Sequence, residues 1–174
     1  MTDVHLQGTI RAATPNDLPH IMEIVRQAIL GMRSEGSDQW NEEYPRLDDF
    51  AGDIEEGTLF VDVGDDDRPR GVVCLNFGEP EQYKSIEWAK IAKALVIHRM
   101  AVGPAHRGQG VANRLMDFAE HRARALGLSY IRSDTYSLNL RMNAIFKKWN
   151  YSPRGNIRFE GRIHDFNCWD KILV

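Results

Sequence analysis

The stretch KALVIHRMAVGPAHRGQGVANRLMDFAEHRARAL, residues 93–126, decides how this chain folds. Its first part, Lys93 to Val102, is apolar and β-branched, the composition of a buried strand. Its last part places Val111, Leu115, Phe118, Ala119 and Leu126 at helical spacing. Between them runs a loop with Gly103, Pro104, Gly108 and Gly110, and with basic His106 and Arg107 just ahead of the helix. A strand, a glycine-bearing turn and a helix start form a site for a phosphate. The first four helical N–H groups lack intrahelical partners, and the helix dipole leaves partial positive charge beside them.

Working outward, residues 6–12 read as a first strand. Thr14-Pro15-Asn16-Asp17 then opens a helix, with Thr14 as N-cap, Pro15 at N1 and Asp17 reaching back as in a capping box. That helix carries Leu18, Ile21, Ile24, Val25 and Ile29 inward and fades near Gly36. After a polar loop, Pro45 starts a second helix with Leu47, Phe50 and Ile54 on its inner face, and Gly57 ends it. Residues 58–63 and 71–77 are strands joined by an acidic, proline-containing hairpin loop. The run EPEQYKSIEWAKIAK is a surface excursion with a short helix. Beyond the central strand, loop and helix come a strand at 129–135, a helix at 139–149 and two strands near 154–160 and 166–173. The helix at 139–149 sets Met142, Ile145, Phe146 and Trp149 at i, i+3, i+4 and i+7. The expected fold is α/β: a mixed, mostly antiparallel central sheet flanked by helices on both faces, in one domain over residues 1–174.

Composition narrows the function classes. A hydrophobic fraction of 43% with 27% charged residues argues against disorder. A net charge of −3, with basic residues spread rather than striped, gives no reason to expect nucleic acid. No apolar run approaches the ~20 residues a bilayer needs, so no membrane partner is expected. Cys74 and Cys168 lack metal-ligand spacing, and no metal is expected. The opening MTDVHLQGTI has no apolar signal core, so a reduced cytoplasmic protein is the expectation.

The glycine turn admits three readings. One is an unliganded strand-to-helix turn. A P-loop is excluded because no Gly-Lys-Ser/Thr follows. A dinucleotide fingerprint fits Gly108-Gln109-Gly110 and would use Asp134 at the end of the next strand, but Asn113 stands where the third glycine belongs. Only 64 residues follow Gly110, too few to complete the usual nucleotide-binding halves. In the third reading, VGPAHRGQGVANRLM resembles the acyl-CoA-binding motif of the GNAT superfamily of N-acyltransferases, Gln/Arg-x-x-Gly-x-Gly/Ala, here Arg107-x-x-Gly110-x-Ala112 after Val102 and Pro104. Asn139-x-x-Met142-x-x-Ile145-Phe146-x-x-x-Asn150-Tyr151 resembles the family's second motif, with substitutions. The element order matches the family along nearly the whole chain.

The resemblance implies that the backbone amides of Arg107, Gly108, Gln109, Gly110, Val111, Ala112 and Asn113 cradle the diphosphate of coenzyme A, with His106 and Arg107 touching phosphate oxygens. It implies that the strands on either side of the motif splay. Met100, Ala101 and Val102 then offer free backbone groups to the pantetheine arm of acetyl-CoA, as in strand addition. Asn139, Met142 and Phe146 line the far side of that arm. Transfer to an amine needs a base and a stabilised oxyanion. His98 aligns with a base histidine of serotonin N-acetyltransferase, a member of the family, and Glu87 is the second candidate. Many relatives carry a thiolate-protonating tyrosine where Phe146 stands. Phenylalanine cannot donate, which leaves Tyr136 or water as the substitute. The acceptor, a small-molecule amine or peptide, enters over residues 36–44, where Trp40, Glu43 and Tyr44 make an aromatic and acidic cradle for a cation. The rivals are an acyl-CoA-sensing module without turnover and a protein-modifying acetyltransferase. A homodimer through the C-terminal strand edge is compatible with the sequence.

Overall fold

Period-two alternation sorts the central strands between two cores. Leu59, Val61, Val63, Val72 and Cys74 pack with the first two helices, while Phe60, Val73, Leu75, Leu95 and Ile97 pack with the third. The computed structural model describes residues 9–174. Its strands are β1 (Thr9–Ala12), β2 (Leu59–Val63), β3 (Pro69–Asn76), β4 (Leu95–Val102), β5 (Tyr130–Tyr136), β6 (Ser152–Ile157) and β7 (Phe166–Ile172). Its helices are α1 (Leu18–Ser34), α2 (Leu47–Glu55), α3 (Val111–Ala125) and α4 (Leu140–Lys148). The part of the first expected strand at 6–8 lies outside the described residues.

The sheet runs β1-β2-β3-β4-β5-β7-β6. Every neighbouring pair is antiparallel except β4–β5, which is parallel and is bridged by α3 as a crossover must be. Helices α1 and α2 cover one face. Val111, Leu115, Met116, Ala119 and Ala123 of α3 bury against the other with Phe146 of α4. Each large side chain there contributes about 2–5 kcal/mol against truncation to alanine. The excursion after β3 holds a single 3-10 turn, Glu81–Ser85, whose Tyr83 caps a third apolar cluster over Val96, Tyr136, Ile157, Phe166 and Cys168.

The entry to α1 matches the capping reading: Thr14 N donates to Asp17 Oδ2 at 2.8 Å, and Arg11 clasps the same carboxylate at 2.7 and 2.9 Å. Helix α2 departs from expectation in two ways. It begins at Leu47 rather than at Pro45, and Asp49 Oδ2 accepts the Arg46 N–H at 2.7 Å to cap it. Leu47, expected inward, is 48% exposed, and the buried positions of the helix are Phe50 and Asp53. A carboxylate on the inner face is tolerated because Arg99 of β4 meets it there.

Candidate active site

The site begins with a defect in β4. Cys74 pairs with His98 and Val72 with Ala101, so Arg99 and Met100 together oppose the single residue Val73. Arg99 holds φ +47°, a left-handed conformation that a non-glycine residue adopts at a cost. Its guanidinium is fixed by Asp53 of α2 at 2.8 and 2.5 Å and donates to the Tyr44 hydroxyl at 3.0 Å. The bulge turns β4 away from β5. Their pairing stops at Ile97↔Ser133, and past it β5 pairs only with β7. From His98 onward the β5-facing edge of β4 has no strand partner, and a cleft opens through the sheet.

Two cavities meet in that cleft. One, of about 400 Å³, is lined by Met100, Ala101 and Val102 and by the turn residues His106, Arg107, Gly108, Gly110, Val111, Ala112 and Asn113. The other, of about 550 Å³, opens on the opposite side beside His98, Arg99, Tyr44 and Phe146. Both are lined by Met32, Trp40, Met100, Asn139 and Met142, which form a shared neck.

The turn at the smaller cavity presents backbone donors to it. Gly108 and Gly110 sit at φ +74° and +76°, and Gly110 takes the N-cap position of α3 without a capping side chain. The Arg114 N–H closes the first helical bond on the Gly110 carbonyl at 3.0 Å. Among the described residues the N–H groups of 108–113 have no backbone or side-chain acceptor. Six consecutive free amides at a helix start have the donor geometry and partial positive charge that suit an anion. Around them stand Arg107, Arg141 and Lys148, with Glu35 on Arg141 at 3.2 Å. Burial and the neighbouring Arg141 charge hold the Arg107 guanidinium below its ordinary range. Arg141 and Lys148 belong to α4 and have no local sequence signal linking them to the turn.

The remaining sequence-selected residues are distributed as follows. Gln109 turns its amide to the Ala105 carbonyl at 3.1 Å and lines neither cavity. Asn113 accepts from Lys148 and from Trp149 Nε1, both at 3.1 Å. Asn139 caps α4 through the Met142 N–H at 3.1 Å and donates to Gln39 at 3.0 Å. Phe146 is buried against Trp169 and Tyr151, ring centroids 5.8 and 5.2 Å away. Trp40 and Tyr44 line the larger cavity, whereas Glu43 is exposed outside it. Glu87 is likewise exposed and lines neither cavity.

His98 lines the larger cavity, its Nε2 donating to the Gly78 carbonyl at 3.0 Å. Burial, then the Arg99 charge, push its pKa down to about 4, so the ring is neutral at physiological pH. Tyr136 is fully buried and lies outside both linings. Its hydroxyl donates to Asp38 and accepts from His164 N at 3.0 Å. Both thiols are raised by burial, Cys74 to about 11 and Cys168 to about 12, and neither lines a cavity.

Three further groups in the larger cavity were given no place in the acetyl-transfer reading of the sequence. Arg99 is anchored by Asp53, as above. Glu79 is held by Arg132 at 2.7 Å. Asp134, on β5, accepts from the Tyr83 hydroxyl at 2.6 Å, and burial pushes its pKa up to about 6.

The comparisons agree with this geometry. The model of the acetyltransferase (GNAT) family matches residues 23–151. The uncharacterized N-acetyltransferase YesJ of Bacillus subtilis strain 168 is 26% identical over 128 residues, 71% of this chain and 70% of its own length. The crystal structure of a GNAT-family acetyltransferase from Streptococcus agalactiae 2603 superposes with a TM-score of 0.86 at 27% identity, over 99% of both chains. The structure of yncA from Salmonella typhimurium, solved with its cofactor acetyl-CoA, shares the fold at a TM-score of 0.71 and 18% identity, covering 96% of this chain and 94% of that one.

Proposed function

Because the chain belongs to the acetyltransferase (GNAT) family and is an acyl-CoA-dependent N-acetyltransferase, we propose that it transfers the acetyl group of acetyl-CoA to a primary amine of a small-molecule or peptide acceptor. The amine attacks directly, with both substrates bound. The observation that carries this reading is the meeting of the two cavities at the parted strands, one floored by free helix-start amides and the other open to an acceptor.

The chain's residues fit coenzyme A. Free amides at 108–113 and the charges of Arg107, Arg141 and Lys148 suit its phosphates, and the positive φ of Gly108 and Gly110 keeps that cradle free of Cβ atoms. The unpaired edge at Met100, Ala101 and Val102 suits the amides of its arm. When bound, acetyl-CoA supplies a thioester-activated acetyl group, as its presence in the Salmonella relative supports. The neck residues Met100, Asn139 and Met142 exclude water around the acetyl end, and Trp40 with Tyr44 offers aromatic faces to a cationic acceptor. Two buried thiols with raised pKa values favour direct transfer over a cysteine-bound acyl group.

The test has two arms: calorimetric titration with acetyl-CoA, and thiol release across a panel of primary amines. Binding together with amine-dependent release is expected. Absence of acetyl-CoA binding would remove the reading, and tight binding without turnover across the panel would favour a sensing module.

A further inference from the structure

Ile97↔Ser133 is the last pair that joins β4 to β5, so His98 and Asp134 are the first residues of the two parted strands, and both line the larger cavity. The carboxylates of that cavity differ in how they are neutralised. Glu79 is paired with Arg132 at 2.7 Å, and Glu160 is exposed on the β6–β7 loop. Asp134 is half-buried on the cavity wall, and among the described residues no cation lies within ion-pair distance of it. Its Oδ1 is taken by the Tyr83 hydroxyl, while Oδ2 has no hydrogen-bond donor. A carboxylate oxygen that faces a cavity with neither a donor nor a counter-charge is placed to receive a cation entering that cavity.

Resting on the reading of this chain as an amine acetyltransferase, we infer that Asp134 docks the acceptor's ammonium in the larger cavity and takes its proton. One ammonium proton passes to Oδ2. The freed nitrogen lone pair forms the C–N bond to the thioester carbonyl carbon as the C–S bond breaks. Of the two protons left on nitrogen, one goes to the departing sulfur, giving the thiol, and one stays in the amide. The carboxyl then returns its proton to solvent.

His98 is the weaker candidate for this work. Its Nε2–H is committed to Gly78, and a ring whose pKa has fallen to about 4 has little drive to accept an ammonium proton. A carboxylate at about 6 is ionised at neutral pH and is more basic than an exposed one. The charged and titratable groups around it are His98 and Arg99 from β4, Tyr83 from the 3-10 turn, Cys168 from β7 and Tyr44 from the α1–α2 loop. The Arg132–Glu79 ion pair, and Glu160 and Arg162 of the β6–β7 loop, complete the surroundings. Burial raises Tyr83, Tyr44 and Cys168 above their ordinary values, away from the range in which Asp134 titrates.

The experiment compares the wild type with Asp134→Asn and Tyr83→Phe, using a primary amine selected from the panel. In the wild type, kcat/KM should fall about tenfold per pH unit below a break near 6. Asp134→Asn should lower kcat/KM at neutral pH by about 10²-fold or more and abolish the break, with acetyl-CoA affinity within about twofold. Tyr83→Phe should move the break upward, because the hydroxyl stabilises the ionised carboxylate. Independently of turnover, the aspartate carboxyl ¹³C resonance that is lost in Asp134→Asn should titrate near 6 and shift when the amine is added. Near-wild-type kcat/KM and an unchanged break in Asp134→Asn, or a resonance titrating near the ordinary ~3.9, overturns the assignment. A wild type that binds no acetyl-CoA by calorimetry overturns the acetyltransferase reading and this inference with it. That failure is recognised separately, since the calorimetric arm does not involve Asp134.

Discussion

Asp53, near the end of α2, and Arg99, at the bulge of β4, lie 46 positions apart and are joined by two hydrogen bonds of 2.8 and 2.5 Å. The pair ties the helix to the one strand residue held at φ +47°, and that residue sets where β4 leaves β5. The ion pair between the buried Asp53 carboxylate and the half-buried Arg99 guanidinium thus sits where the sheet splits and the two cavities meet.

Asp53→Ala tests whether the split needs the pair. It leaves the half-buried Arg99 guanidinium without its carboxylate and should cost about 3–5 kcal/mol, read as a lowered denaturation midpoint with unchanged m value. Acetyl-CoA affinity should fall as well, because Met100 to Val102 follow the bulge directly. A variant of wild-type stability and affinity would show that the bulge forms without its anchor.

The two turn glycines separate strain from space. A Cβ at Gly108 would meet nothing within 4 Å, whereas one at Gly110 would come 3.2 Å from Arg114 Nη1, the far end of a flexible side chain. Both glycines have positive φ, so alanine at either position should cost about 1–2 kcal/mol of stability. Acetyl-CoA affinity should drop in both, and the calorimetric titration measures it. Full affinity in both would mean that the free amides are not the phosphate cradle.

The features legible in the sequence are those carried by neighbouring residues. The buried strand at 95–102, the capping of α1 by Thr14 and Asp17, and the glycine turn that opens α3 are all local, and each lies where the residues predict it, although the Arg107 N–H, expected in the cradle, is taken by the Pro104 carbonyl at 3.4 Å. The misread positions are settled at a distance. Leu47 reads as a core residue and Asp53 goes unremarked, because nothing within the helix announces that Arg99 will cover its inner face. Glu87 precedes β4 in sequence, but the excursion leaves it exposed outside both cavities. Asp134 drew notice only in the discarded dinucleotide reading, as the acidic residue at the end of the next strand. Its isolation depends on Tyr83, 51 positions away.

His98 and Asp134 make opposite contributions to acid stability. Burial lowers the His98 pKa from 6.5 to about 4, so between those values the unfolded chain binds the extra proton and acidification destabilises the fold. Burial raises Asp134 from 3.8 to about 6, so over that window the folded chain binds the extra proton and acidification stabilises it. Each displacement is worth about 3 kcal/mol at full extent, and in the wild type the two largely offset. Asp134→Asn should therefore lose stability steeply from pH 6.5 to 4, while His98→Gln should gain stability from pH 6 to 4. Denaturant titrations at several pH values give both slopes, and parallel slopes in the two variants would contradict the burial of either group.

Tyr136 allows positioning to be told apart from proton donation. Its hydroxyl donates to Asp38 and accepts from His164 N at 3.0 Å, and Asp38 also takes the Ile163 N–H at 3.3 Å. It thereby ties the α1–α2 loop, which brings Gln39, Trp40 and Tyr44 to the larger cavity, to the β6–β7 loop, which brings Phe159, Glu160 and Arg162. Tyr136→Phe should lower stability by about 1–2 kcal/mol through the lost hydrogen bonds. With the two walls untied, the acceptor KM should rise several-fold, while kcat stays within about threefold and acetyl-CoA affinity is unchanged. A tyrosine that protonates the departing thiolate predicts the reverse, a loss of about 10²-fold in kcat at unchanged KM. The hydroxyl already has a donor and an acceptor partner and faces neither cavity, so the expected result is the rise in KM.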